Sequence, residues 1–287
     1  MMTSMHKLFA AAALLCAVSA APALAAEGAP EPPQQKWSFS GPFGQFDRAQ
    51  LQRGFKVYRD VCANCHSLSL VSFRNLSQPG GPEFSEAQVK ALAAEYKIAT
   101  TDDNGEPVER AALPADVFPP IFPNEKAGRA RNGGALPPDL SLIAKARTYE
   151  RGFPRWVFDI FSQYQEQGPD YIYALLTGYE EPPKDVKLLP GQSYNKYMPG
   201  HLIAMAKPLE DGRVEYPKDA QGKPVWPETL DQYAKDVTAF MVWAAEPHME
   251  ARKSLGLRVL LFLIVFAGLL YFTKKRIWAR IPDHAQA

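Results

Sequence analysis

Two cysteines and a histidine in residues 61–66 carry the clearest chemistry in this chain. Cys62 and Cys65 lie three positions apart, and His66 follows the second cysteine directly. This spacing attaches a porphyrin through two thioether bonds and places the histidine beneath the iron. The segment therefore predicts one covalently bound haem c, held by Cys62 and Cys65, with a neutral His66 imidazole as proximal ligand.

Two other uses of paired cysteines fit less well. A zinc site at this spacing needs a second pair of Cys or His ligands, and Cys16 is the only other cysteine in the chain. A thioredoxin-like dithiol should follow a strand. Here apolar residues at 51, 55, 58 and 61 or 62 repeat with a helical period, and Asp47 is a suitable N-cap for that helix. The pattern favours haem.

Candidates for the opposite face of the iron lie far along the chain. Met198, His201 and Met205 are close together, and Met241 and Met249 follow later. A methionine thioether raises the reduction potential and suits an electron carrier on the oxidising side of a chain, whereas a second histidine would lower it. The residue types alone leave this choice open, and a single methionine is often only core packing.

Arg147 and the acidic segment 101–106 each have two interpretations. Asp139 or Ser141 can cap a predicted helix over 144–149, and Arg147 on that helix could pair with a haem propionate. Spacing alone favours a solvent-facing arginine. The acidic residues within 101–106 form a polar turn that is expected to be solvated, with docking of a basic partner as the second interpretation.

Composition limits the class of protein. The 287 residues allow one large or two small domains, and the 26 prolines indicate long irregular connections. Lys plus Arg is 32 and Asp plus Glu is 31, so no basic excess points to nucleic acid. Amphipathic segments at 85–96, 171–178 and 229–245 predict helices, the last packing across the helix that leads to Cys62.

The two ends of the chain predict export and anchoring. Residues 1–25 read as a signal peptide, with Lys7 before an apolar core and small residues at the cleavage site. Residues 255–273 span about 28 Å as a helix, which matches a bilayer core of about 30 Å. We therefore expect a periplasmic haem domain over 26–250 and a cytoplasmic tail over 274–287, with the leader deciding the orientation.

Several motifs in order resemble the cytochrome c1 family, the haem subunits of the cytochrome bc1 complex. The resemblance covers nearly all of the mature chain. Its motifs are Arg-Gly-Phe-Lys-Val-Tyr at 53–58 before the cysteines, Gly-Ala-Leu-Pro-Pro-Asp-Leu at 134–140, Leu-Leu-Thr-Gly-Tyr at 175–179, the segment 194–206, and Trp-Ala-Ala-Glu-Pro at 243–247 before the anchor.

The resemblance implies roles for particular residues. It places the axial methionine on Met205, the propionate-pairing arginine on Arg147 and, more weakly, Asn132 in the haem pocket. The chain departs from the family pattern at Met198, where an aromatic is usual, and at Lys207, where proline is common. Its segment 148–168 is longer than in mitochondrial members, and no cysteines remain for the disulfide of some bacterial members.

The fold implied is mostly α, a class I cytochrome c-like haem domain with long irregular loops and one C-terminal transmembrane helix. The implied function is electron transfer within ubiquinol:cytochrome c oxidoreductase in a bacterial inner membrane, with no catalytic residue of its own. The partners would be cytochrome b, the Rieske iron-sulfur protein, a soluble or membrane-bound c-type cytochrome, and membrane lipid. Two alternatives are an anchored cytochrome of another respiratory complex and a haem gas sensor.

Overall fold

The computed structural model describes residues 29–279 apart from 150 and 163, and the chain there is mostly helical. The predicted signal peptide and the end of the predicted tail lie outside the described residues. The α-helices are α1 (Arg48–Asp60), α2 (Glu86–Ala94), α3 (Glu125–Arg131), α4 (Ile143–Ala146), α5 (Arg155–Ser162), α6 (Gln167–Thr177), α7 (Leu230–Ala245) and α8 (Met249–Trp278). The predicted α class is confirmed.

Short elements and long loops connect these helices. Two 3-10 helices cover Cys62–Asn64 and Phe73–Ser77. Strands β1 (Lys97–Thr101) and β2 (Pro107–Ala111) form one antiparallel hairpin, with Lys97 opposite Ala111. Strands β3 (Ser193–Tyr194) and β4 (Leu202–Ile203) form another, with Ser193 opposite Ile203.

The core is organised around the crossing of α1 and α7, and α4 and α6 pack against α7. A Cβ atom on Gly54 would lie 2.0 Å from the Asp236 carbonyl oxygen, so only glycine allows the two backbones to approach this closely. Beside this contact the buried Arg53 guanidinium donates two hydrogen bonds to the Asp236 carboxylate, at 2.8 and 3.0 Å. The predicted packing of these helices is confirmed.

Helix caps follow the sequence where a short polar residue precedes an amphipathic run. The Asp47 side chain accepts a hydrogen bond from the Gln50 amide and begins α1 as predicted. Ser85 and Gln88 form a reciprocal capping box at the start of α2. These caps fix where α1 and α2 begin.

The helix expected over 144–149 is shorter than predicted. It ends at Ala146, and Arg147 already has extended backbone angles, φ −113° and ψ 138°. The Asp139 carboxylate accepts hydrogen bonds from the amides of Ser69 and Ser141 instead of capping the helix directly. Helices α3 and α5 and the β1–β2 hairpin were not predicted. Helix α3 and the two strands have too few apolar positions to show a period, whereas α5 is amphipathic and its pattern was missed.

Helix α8 contains the whole predicted anchor and is long and apolar enough to cross a membrane. Its apolar run is exposed, whereas its first turns are hydrogen-bonded to the rest of the domain. The Glu250 carboxylate accepts hydrogen bonds from both terminal nitrogens of Arg48 and from the Phe46 amide. Lys253 donates to the Phe39 carbonyl at 2.6 Å. The domain and the helix are therefore joined by polar contacts as well as by the chain.

Candidate haem site

A tight turn after α1 brings the three motif residues together. The Cys62 carbonyl oxygen accepts hydrogen bonds from the Cys65 amide at 3.1 Å and from the His66 amide at 2.9 Å. Both cysteines are half-buried and neither forms a disulfide. Burial of the Cys62 side chain, and then the nearby Cys65, raise the pKa of the Cys62 thiol to about 12. Two reduced thiols thus sit on one turn beside the histidine.

The His66 ring is oriented by the backbone of a distant loop. Its Nδ1 lies 2.8 Å from the Pro138 carbonyl oxygen, which can only accept, so Nδ1 carries the proton and Nε2 is left with a lone pair. Burial lowers the pKa of His66, against the opposing effects of Pro138 and Asp139. The Tyr58 hydroxyl also donates to the His66 carbonyl at 3.1 Å. This neutral tautomer is the one that binds a metal through Nε2.

The loop that carries Pro138 is held to the segment after the motif by hydrogen bonds. Asp139 accepts from both the amide and the hydroxyl of Ser69, at 2.9 and 2.7 Å. The Leu140 amide donates to the Ser67 carbonyl at 2.9 Å. These bonds fix the Pro138 carbonyl relative to His66, although the two residues are 72 positions apart.

The segment with the candidate sixth ligands is fastened to α6 through Asn195, which is fully buried. Its side-chain amide donates to the Leu175 carbonyl at 2.7 Å, and its backbone amide donates to the His201 carbonyl at 2.8 Å. The Tyr179 hydroxyl donates to the Met205 carbonyl at 3.1 Å. The backbone of Met205 is therefore positioned by one hydrogen bond, and its side chain is half-buried.

The three nearby candidates differ in their surroundings. The Met198 sulfur accepts a hydrogen bond from the Tyr171 hydroxyl at 3.7 Å. The His201 ring stacks on Tyr194, with centroids 5.4 Å apart. Within residues 29–279, the Met205 sulfur has no such polar partner. The assignment of Met205 as the iron ligand stays a prediction.

The two more distant methionines have a packing role. Met241 and Met249 are each 4% exposed and belong to the hydrophobic core of the domain. Met241 lies on α7 and Met249 begins α8. Their surroundings match the core interpretation of a single methionine.

Arg147 lies exposed at the end of α4, beside α6. Its charge acts to lower the pKa of Tyr171, although burial of that tyrosine raises the pKa more. A Cβ atom on Gly168 would lie 2.0 Å from the Ala144 carbonyl and 2.8 Å from the Arg147 carbonyl, so glycine lets α6 approach the end of α4. The pairing of Arg147 with a haem propionate stays a prediction.

Asn132 caps the end of α3. Its side-chain amide donates to the Gly128 carbonyl at 2.8 Å, and its carbonyl accepts from the Ala135 amide at 3.1 Å. These contacts give Asn132 a structural role in shaping the loop that leads to Pro138. Its predicted place in the haem pocket is not tested by them.

Sequence reasoning missed four groups that orient the site. They are the Pro138 carbonyl and the Tyr58 hydroxyl around His66, and the Asn195 amide and Tyr179 hydroxyl around the methionine segment. All four lie within the motifs that carried the resemblance. The signal was present, but a motif does not show which of its residues bind through the backbone.

The donor set fits a haem c. Two reduced thiols and a neutral imidazole on one turn are the groups that covalent attachment and the proximal position of a haem c require, and Met198, His201 and Met205 stay candidates for the distal position. Together with the α1–α7 crossing and the apolar helix α8, they define a class, the c-type cytochromes anchored to a membrane.

Comparisons with known proteins narrow this class. The model of the Cytochrome C1 family matches residues 37–281. Cytochrome c1 of Blastochloris viridis is 49% identical over 280 residues, covering 96% of this chain and 97% of the relative. Cytochrome c1 of Rhodospirillum rubrum is 41% identical over 295 residues, covering 97% of this chain and 98% of the relative. The chain belongs to the cytochrome c1 family.

A further relative is the longer Cytochrome b/c1 of Bradyrhizobium diazoefficiens. It is 60% identical over 259 residues, which are 90% of this chain and 37% of that relative. The function of the chain is accordingly that of the c1 subunit of the bc1 complex, and α8 is its single-pass anchor. Neither the gas sensor nor the other respiratory complexes gain support from these relatives.

Proposed function

We propose that this chain binds one haem c through thioether bonds to Cys62 and Cys65 and transfers single electrons. When bound, the haem supplies reversible one-electron chemistry at its iron. The observation that carries the proposal is the bond between His66 Nδ1 and the Pro138 carbonyl, because it prepares Nε2 as the proximal ligand. Met205 is proposed as the distal ligand, and a site with both axial positions filled excludes external ligands.

The surrounding residues position these ligands and adjust the potential. The Pro138 carbonyl increases the basicity of His66, while a thioether from Met205 favours the ferrous state. Arg147 is proposed to pair with a propionate, because its guanidinium is exposed at the edge of α4 and can donate two parallel hydrogen bonds. Asn132 would contribute to the pocket through the loop that it caps.

The direction of electron flow is inferred from the family. We propose that the chain takes electrons from the Rieske iron-sulfur protein, beside cytochrome b, and passes them to a soluble or membrane-bound c-type cytochrome. The haem domain would lie in the periplasm of a bacterial inner membrane, with residues 1–25 removed as a signal peptide and 274–287 left in the cytoplasm. The bilayer around α8 is the remaining partner.

A pair of histidine variants tests the proposal. His66→Ala should abolish the six-coordinate spectrum and the reduction of the chain by ubiquinol in the purified complex. His248→Ala is the matched control, since His248 is exposed and precedes α8. Normal ubiquinol-driven reduction of His66→Ala would contradict the proposed ligand. Purification in a mild detergent should also recover cytochrome b and the Rieske protein, and recovery of the chain with neither would contradict the proposed partners.

A further inference from the structure

An exposed group of aromatic side chains near the start of α8 has no role in the haem site. We call Phe43, Phe153, Trp156 and Phe158 the aromatic collar, and each is more than half exposed. Single exposed apolar residues are common on protein surfaces. Four large aromatic rings on two segments that both approach the anchor helix require an explanation.

The first segment is tied directly to α8. The Gln45 amide donates to the Ser38 carbonyl at 3.0 Å, so residues 38–45 form a compact turn that carries Phe43. Within this turn the Phe39 carbonyl accepts the hydrogen bond from Lys253. Lys253 lies two residues before Leu255, where the predicted apolar span begins. Phe43 is thereby placed near the level at which α8 would enter the bilayer.

The second segment reaches the same part of α8. Gln165 and Glu166, which follow α5, line a crevice together with Met249 and Lys253. Helix α5 has eight residues and is about 12 Å long at 1.5 Å per residue. The Tyr164 amide donates to the Asp159 carbonyl at 3.1 Å, so the C-terminal end of α5 is held next to Gln165 and hence close to the crevice at the start of α8.

The exposed charge around the collar is positive. Arg155 pairs with Glu31, and the arginine side chain is 60% exposed against 34% for the glutamate. Lys145 and Arg252 both pair with Glu246, and each cation is 54% exposed against 18% for that carboxylate. The Glu246 carboxylate is thus covered while the two cations that share it face outward, and Arg155 is more exposed than the Glu31 carboxylate that it pairs with. Such a surface is complementary to anionic headgroups.

We propose that the aromatic collar and Arg155 bind the surface of a bilayer that contains anionic phospholipid, as a second membrane contact besides α8. Aromatic side chains are favoured at the headgroup level, and nearby cations add attraction to anionic lipid. This contact would hold the haem domain at a fixed orientation on the membrane. The proposal rests on α8 spanning the membrane, and not on the identity of the distal iron ligand.

A site-directed spin label tests the contact in the full-length haem-containing protein. Phe153→Cys introduces one thiol for a nitroxide, and Val108→Cys on β2 is the matched control, since Val108 is exposed on the hairpin. The protein is inserted into vesicles of phosphatidylcholine and phosphatidylglycerol. Collision of each label with oxygen, which concentrates in lipid, is compared with collision with a water-soluble nickel chelate.

At position 153 the ratio of oxygen to nickel collisions should exceed the ratio at 108 several-fold. It should fall when Trp156 and Phe158 are both replaced by serine, and when phosphatidylglycerol is omitted. Equal ratios at 153 and 108 would overturn the proposal. Shielding of 153 from both reagents that appears only when cytochrome b is present would also overturn it, in favour of a protein interface.

Two controls separate this outcome from failure of the haem proposal. The mature protein without an added cysteine, from which residues 1–25 with Cys16 have been removed, should take up no label, because Cys62 and Cys65 are bound to haem. Uptake by this mature protein would refute the thioether bonds and not the membrane contact. The reduced haem spectrum of the Trp156→Ser, Phe158→Ser variant should be unchanged, which shows that the domain still folds.

Discussion

The Nδ1 atom of His66 lies 2.8 Å from the carbonyl oxygen of Pro138, which joins the turn after α1 to a loop 72 positions further along the chain. A backbone carbonyl keeps its hydrogen-bonding character at every pH, so this contact holds the ring in one tautomer. The ring nitrogen that remains is the one proposed to bind iron. The loop from Asn132 to Ser141 is therefore part of the haem site even where its side chains point elsewhere.

Loosening this loop should raise the reduction potential. Asp139→Ala removes the hydrogen bonds from Ser69 and Ser141, so the Pro138 carbonyl is held less firmly. His66 then donates less electron density to the iron. We expect an increase of tens of millivolts, where about 59 mV corresponds to a tenfold change for one electron. A spectroscopic redox titration measures this, with Asp103→Ala in the exposed 101–106 turn as control. An unchanged or lowered potential in Asp139→Ala would be inconsistent with this role.

Two methionine variants should separate the candidate distal ligands. Met205→Leu should lower the potential by on the order of 0.1 V or more, since axial ligands set haem potentials over a range of about 0.8 V. Met198→Leu removes only the sulfur that accepts from Tyr171 and should change the potential little. A redox titration and a test of carbon monoxide binding to the reduced protein are carried out on both variants. The reverse ranking of the two variants would move the ligand assignment to Met198.

The close crossing of α1 and α7 should not tolerate a side chain at Gly54. In Gly54→Ala the new Cβ would meet the Asp236 carbonyl at 2.0 Å, so the helices must separate, at a cost of about 1–3 kcal/mol of unfolding free energy. Gly152→Ala is the control, because a Cβ there meets nothing within 4 Å. Urea unfolding of the haem-containing protein measures both. Equal stabilities of the two variants would contradict the contact.

The buried carboxyl of Asp170 should make stability depend on pH. Burial raises the pKa of Asp170, although Tyr164 and Trp37 donate hydrogen bonds to it. The folded chain thus holds this proton more tightly than the unfolded chain, whose carboxyl pKa is about 3.9, and stability falls as pH rises from that value through the folded pKa. Asp170→Asn should remove this fall, as measured by thermal unfolding at a series of pH values.

A surface carboxyl of opposite behaviour provides the comparison. Hydrogen bonds from Arg110 and from the Leu113 amide lower the pKa of Asp116 to about 2. The contribution of Asp116 to the free energy of unfolding is present above the ordinary carboxyl pKa and is lost as pH falls toward 2. Asp116→Asn should therefore leave unchanged the decrease in stability above pH 4 that is assigned to Asp170. If Asp170→Asn and Asp116→Asn changed the profile in the same direction, the assignment to Asp170 would be wrong.

Much of the helical framework could be predicted because its signals are local. Asp47 caps α1, Gly178 follows α6 at its end, and the apolar period of residues 229–245 marks α7, all from neighbouring residues. The Cys62, Cys65 and His66 motif is equally local. Its position directly after α1 follows from the same pattern.

The remainder depends on contacts between distant parts of the chain. Nothing near Pro138 in sequence shows that its carbonyl meets His66, and the burial of Asn195 depends on α6, which lies about 20 positions earlier. Helix α4 was predicted over 144–149 but ends at Ala146, because four helical residues are too few for periodicity to mark an end. Helix α5 lies in the segment that is longer than in mitochondrial members. These elements are set by tertiary packing, which one sequence does not display.

The most direct test of the account is the mass of the purified full-length polypeptide before and after extraction with acidified acetone. Thioether bonds from Cys62 and Cys65 predict that the mass of one haem and its red colour stay with the polypeptide, and that Cys62→Ser, Cys65→Ser loses both. A colourless polypeptide of unmodified mass after extraction would show that no porphyrin is covalently bound and would contradict the central claim.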